Sequence, residues 1–148
     1  MTPRRPASDA LIGRILLLWA GIAVGVAFVA TPAKFLAPSL SLPVALDVGR
    51  HTFAVFNRIE LLLLAALLLA SLFAARRRRW LLTLAVAGAV VLAQALWMIP
   101  ELDARVAAIL AGRPPARPSA LHGAYIGAEA LKIAALALGG LVPLKPRV

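Results

Sequence analysis

The chain contains no cysteine, which excludes disulfides, thiolate catalysis and cysteine-ligated metals. Charge is scarce: 15% of the 148 residues are Asp, Glu, Lys or Arg, against about 25% in soluble domains. Acids are the scarcest, six against sixteen Lys and Arg, and there are only two histidines and one tyrosine. No stretch alternates polar and apolar residues with period two, which excludes a β-barrel. Neither an H-E-x-x-H pair, nor a glycine-rich phosphate loop, nor a readable Ser-His-Asp arrangement is present, so the expectation is a protein that is not an enzyme.

What is abundant is apolar surface. Hydrophobic residues make up 62% of the chain and the mean hydropathy is +0.91. A helix needs about 20 mostly apolar residues to cross the hydrocarbon layer, and four stretches qualify: 11–31, 51–75, 80–99 and 120–142. Residues 1–148 therefore read as a single all-α domain, an integral membrane four-helix bundle with short connections. The first stretch reads as a span and not as a cleaved leader, because bulky Phe28 stands where a cleavage site after Ala30 would want a small residue.

The net charge of +10 would point to nucleic acid in a soluble protein; here it reports topology, and no nucleic-acid partner is expected. Arg4, Arg5, Arg14, Arg76 to Arg79, Lys145 and Arg147 fall on one side, and Lys34, Arg50, Arg105, Arg113 and Arg117 on the other. The positive-inside rule then places both termini in the cytoplasm. The run Arg76–Arg79 reads as the anchor of a tight cytoplasmic turn more readily than as a lipid-binding patch. Trp19, Trp80 and Trp97 stand near span ends as interfacial aromatics.

The outer connections are expected to be modest. Pro32, Pro38 and Pro43 in the loop from Pro32 to Arg50 suggest a segment ordered by sterics and not by secondary structure. The segment from Glu101 begins as a short interfacial helix and ends in RPPARP. Two GxxxG pairs, Gly21 with Gly25 and Gly123 with Gly127, predict close helix packing within the bundle, with pairing between copies or with other membrane proteins as the alternative.

Polar residues inside the spans carry the most information, because a charge at a helix centre costs roughly 2.5–3.5 kcal/mol on insertion scales. The second span holds Asn57, Arg58 and Glu60; the fourth holds His122, Tyr125, Glu129 and Lys132. The latter four fall within an arc of about 80°, a single stripe, while the second-span trio spreads over about 160°. The two spans run in the same direction, and their numbering offsets match: Arg58 and Glu129 are 71 apart, Glu60 and Lys132 are 72 apart. Two interhelical pairs, Arg58–Glu129 and Glu60–Lys132, are therefore expected, fixing helix register or, as the alternative, forming a gate or proton path.

The same offset sets His51 and His122 at one depth near the outer surface, where paired imidazoles could ligate haem b or copper; otherwise no cofactor is expected. The first and third spans echo each other faintly, with Pro32 and Pro100 68 residues apart, as in a two-helix repeat.

Certain short motifs carry a resemblance. Pro32 and Phe35 close the first span, Trp97, Pro100, Asp103 and Arg105 follow the third, and Leu121 and His122 open the fourth. In these the chain resembles the domain-of-unknown-function family 4149, small four-span bacterial inner-membrane proteins similar to an animal transmembrane protein associated with platinum-drug resistance. More distantly it resembles copper-resistance-type four-helix membrane domains. The resemblance implies the fold and an inner-membrane location, but no activity. The function expected is thus a non-catalytic, transporter-like or accessory membrane module, with a haem- or copper-binding membrane protein as the alternative.

Overall fold

Each apolar run becomes a helix longer than the hydrocarbon it has to cross. The computed structural model describes residues 6–113 and 119–141; Arg4, Arg5, Arg117, Lys145, Arg147 and the last residue of the fourth predicted span, Val142, lie outside them. The chain is all-α, 88% helical and without strands among the described residues. Helix α1 (Pro6–Val24) passes into a π-helical segment Gly25–Ala30, a turn of helix α2 (Thr31–Ala33) and a 3₁₀ turn Lys34–Leu36. Then come α3 (Leu42–Ser71), α4 (Arg77–Ala93), a second π segment Gln94–Met98, α5 (Ile99–Leu110) and α6 (Leu121–Leu141). Four continuous helical stretches, Ser8–Leu36, Leu42–Ser71, Arg77–Leu110 and Leu121–Leu141, are long and apolar enough to span a membrane.

The second and third spans are longer than predicted. The stretch from Leu42 to Arg50, expected as loop, is the first part of α3. Its prolines do not oppose this: Pro43 occupies the first turn, where an amide hydrogen has no intrahelical partner and the fixed φ suits the helix. The segment after Pro100 likewise continues the third span as α5. In a regular α-helix Pro32 and Pro100 would each clash with the carbonyl four residues back, that of Phe28 and Leu96 respectively. In both cases that carbonyl lies within a π segment, whose wider turn accommodates it. The Thr31 hydroxyl donates to the Val26 carbonyl at 2.7 Å across the first of these segments.

The spans pack as a ring in which each touches its sequence neighbours and the first closes against the fourth. The half of the bundle nearest the Arg76 turn is filled by Ile12, Leu16, Leu67, Trp80, Leu84 and Leu136, all buried. Small residues let α6 approach two neighbours here: a Cβ on Gly140 would lie 2.8 Å from the Gly13 carbonyl oxygen of α1, and one on Gly139 2.5 Å from the Thr83 methyl of α4. The GxxxG glycines do not serve this purpose. A Cβ on Gly21, Gly25, Gly123 or Gly127 would meet nothing within 4 Å. The buried face of α1 runs through Ile12, Leu16, Trp19 and Ala23, and that of α6 through Tyr125, Glu129, Lys132 and Leu136, so helical phase turns those four glycines outward.

Two of the three tryptophans are likewise placed differently from the interfacial expectation. Trp19 and Trp80 are fully buried, and only Trp97 is exposed. Each buried indole has a carboxylate to satisfy it, which is what permits the burial. For Trp80 it is Asp9, whose Oδ1 accepts from Trp80 Nε1 at 2.6 Å and from the Arg76 amide at 3.2 Å. Arg79 stacks over the Trp80 ring at 4.6 Å and donates to the Gly139 carbonyl. The arginine turn is thereby fastened to the ends of α1 and α6, in keeping with an anchor.

Candidate functional site

About 20 Å along α4 from Trp80, at 1.5 Å per residue, all four spans send a polar side chain to one point. Glu129 and Lys132 come from one face of α6, three residues apart. Glu60 reaches them from α3, diagonally across the bundle. Gln94 comes from the first residue of the second π segment, and Trp19 from α1. Every one of the five is buried.

The ammonium of Lys132 spends its three protons on three acceptors: Glu60 Oε1 at 2.5 Å, Glu129 Oε2 at 2.9 Å and Gln94 Oε1 at 3.0 Å. Gln94 Nε2 donates to the same Glu129 Oε2 at 2.8 Å, so the amide bridges cation and anion in its only consistent orientation. Trp19 Nε1 donates to Glu60 Oε1 at 3.0 Å. The Phe56 ring closes over the ammonium at 5.7 Å. Each carboxylate thus concentrates its bonds on one oxygen. Glu60 Oε2 and Glu129 Oε1 are buried with no hydrogen-bond partner. With both acids ionised, two negative charges share one positive, and the centre carries one surplus negative charge in a medium where charge is expensive.

The expected Glu60–Lys132 contact is present. The expected Arg58–Glu129 pair is not: Arg58 is exposed and makes no ion pair among the described residues, and Lys132 serves both glutamates. The reason is azimuth. Two residues along α3 from Glu60 is a rotation of about 160° away from it, so Arg58 faces outward, and its long stem can carry the guanidinium toward the headgroups. Asn57 is buried but stays outside the network, donating to the Val91 carbonyl at 3.4 Å and so tying α3 to α4. Arg58→Gln is therefore expected to leave the thermal midpoint in detergent unchanged, within about 0.5 kcal/mol. The double reversal Arg58→Glu with Glu129→Arg should recover nothing.

Above the centre, on the side away from the arginine turn, the bundle opens into two adjoining hollows of about 360 and 300 Å³. They share Thr31, Phe35, Phe53, His122 and Tyr125. Tyr125 is buried, its ring edge-on to Phe53 with centroids 5.3 Å apart and planes at 70°. Glu129 closes the floor of the lower hollow. At the rim, Arg50 joins α3 to α5 by pairing with Asp47 at 2.7 Å and Asp103 at 3.3 Å.

His51 and His122 are both exposed and line different hollows. His122 borders the pair just described. His51 lies in an outer groove with Ile22 and Val26, its Nδ1 2.9 Å from the Asp47 carbonyl one turn back. Equal depth did not bring them to one site. Among the described residues, no three His, Asp or Glu side chains are grouped to hold a metal.

Gln94 and Asp9 have no place in the sequence reading, and Trp19 appears there only as an interfacial aromatic, whereas its indole donates to Glu60. Gln94 had a signal, being a lone amide in an otherwise apolar third span. Asp9 had one too, as the acid in the first turn of α1.

No family model, curated protein or solved structure matches the chain.

Proposed function

We propose that the protein is a small polytopic membrane module, transporter-like or accessory to another membrane protein, in which the Glu60–Lys132–Glu129 centre takes up and returns a proton from the outer side. The observation that supports this is the sharing of one ammonium by two buried carboxylates, with one oxygen of each left unpartnered. A proton on either carboxyl removes the surplus charge, turns an unpaired acceptor into a hydroxyl, and leaves Lys132 its remaining partner. The hollows give the centre an approach from the outer end, whereas the packed core and the arginine turn close the other. Intramembrane acids in such surroundings are the usual parts of proton relays and gates.

The setting proposed is the bacterial inner membrane with both termini in the cytoplasm, on the strength of the sequence distribution of Lys and Arg around the spans, of which Arg76 to Arg79 form the turn between α3 and α4. The outward-facing Gly21, Gly25, Gly123 and Gly127 offer small-residue faces to a second copy or another membrane protein, which is the sense in which the module would be accessory.

The test is difference infrared spectroscopy of the purified protein as pH is stepped. A carboxylic-acid C=O band should rise on acidification, and Glu60→Gln or Glu129→Gln should remove it. A band-free spectrum across the stable pH range would refute proton uptake.

A further inference from the structure

The hollows above the charge centre are walled by aromatics, and their floor is an acid. Phe28, Phe35, Phe53 and Tyr125 line the lower one, and Glu129 ends it. Glu129 is 1% exposed. Its Oε2 is already engaged by Lys132 and Gln94; Oε1 is the oxygen without a partner, and it is buried beneath the floor, so an occupant of the hollow meets it by a small rotation of the Glu129 side chain. The rim adds no strong bias, since Lys34 and Arg50 are set against Asp47 and Asp103. An occupant must therefore be mostly apolar to wet these walls, small enough for about 300–400 Å³, and able to donate a hydrogen bond at its end. An anion would add to the surplus negative charge. A neutral alcohol would donate but leave that charge uncancelled. A protonated amine does both, and aromatic faces around it add cation–π attraction.

We infer that the hollow binds a small apolar monoamine as its ammonium, with the nitrogen on Glu129 Oε1 and the apolar body against Phe53, Tyr125 and Phe35. The amine and the proton then compete to cancel the same surplus negative charge, so the inference rests on the reading that also supports proton uptake. It names the class of molecule such a module would handle.

The test is calorimetric titration of the detergent-purified full chain with three probes of one shape: 2-phenylethylamine, 2-phenylethanol and phenylacetate. The amine should bind about tenfold or more tightly than the alcohol, the size of one charge-assisted hydrogen bond, and phenylacetate should not bind. Glu129→Gln should reduce the amine's affinity to that of the alcohol. Ala27→Phe, which fills the lower hollow and leaves the charges in place, should abolish both. Equal binding of amine and alcohol, or full amine affinity in either variant, would overturn the inference. Infrared titration separates the two ideas: a pH-dependent carboxyl band without amine selectivity sinks the amine site alone, and amine selectivity without such a band sinks the proton alone.

Discussion

Lys132→Met is expected to abolish most of the folded protein, more completely than any other single change in the spans. The lysine is the only cation in the centre and touches three acceptors within 3.0 Å. Without it two glutamates face each other in a dry interior, joined only by donors from Trp19 and Gln94. Removing one member of a buried ion pair costs about 3–5 kcal/mol, against a total stability of about 5–15 kcal/mol. The measure is the monodisperse fraction after detergent extraction, and its thermal midpoint. The triple variant Glu60→Gln, Glu129→Gln, Lys132→Met, which removes every charge together, should recover folding, because the penalty belongs to the unpaired charge and not to the lost attraction. A stable single variant would show that the centre is wetter than its geometry implies.

Gly140→Ala should be the next most damaging of the changes considered, for a purely steric reason. The new methyl would sit 2.8 Å from the Gly13 carbonyl oxygen and 2.6 Å from Leu17 Cγ. Leu17 can change rotamer, but a helix backbone cannot yield without moving α1 away from α6. Overpacking of this kind costs typically about 1–3 kcal/mol. Gly13→Ala, across the same contact, would place its Cβ 3.5 Å from the Gly140 carbonyl, ordinary contact distance, and should be tolerated. Equal midpoints for the two variants would mean that the α1–α6 approach is looser than described.

Numbering along the chain reports depth in the membrane well and azimuth only when the helical phase is followed. That distinction explains which parts of the site were legible. Glu60 and Lys132 were matched because both depth and phase agreed. Arg58 and Glu129 agreed in depth alone, and so did His51 and His122, which is why neither pair forms. The fourth-span stripe was legible because it lies on one helix: Tyr125, Glu129 and Lys132 are all buried, and His122 borders the hollow above them. Trp19 and Gln94 belong to spans that run the opposite way, where register depends on turn geometry and, for Gln94, on a π segment that no periodicity announces. Burial of Trp19 and Trp80 was hidden for a related reason. An indole near a span end looks interfacial until its carboxylate partner, on another helix, is known.

The meeting of four spans at one point also leaves the first helical hairpin incomplete by itself. The first helical hairpin brings Trp19 and Glu60 into the membrane, an acid whose cation has not yet been made. The second brings Gln94, Glu129 and Lys132, which can satisfy one another. Until the last span arrives, Glu60 must remain protonated or keep contact with water. The buried charge that the first hairpin carries is therefore balanced only once the final helix has joined it.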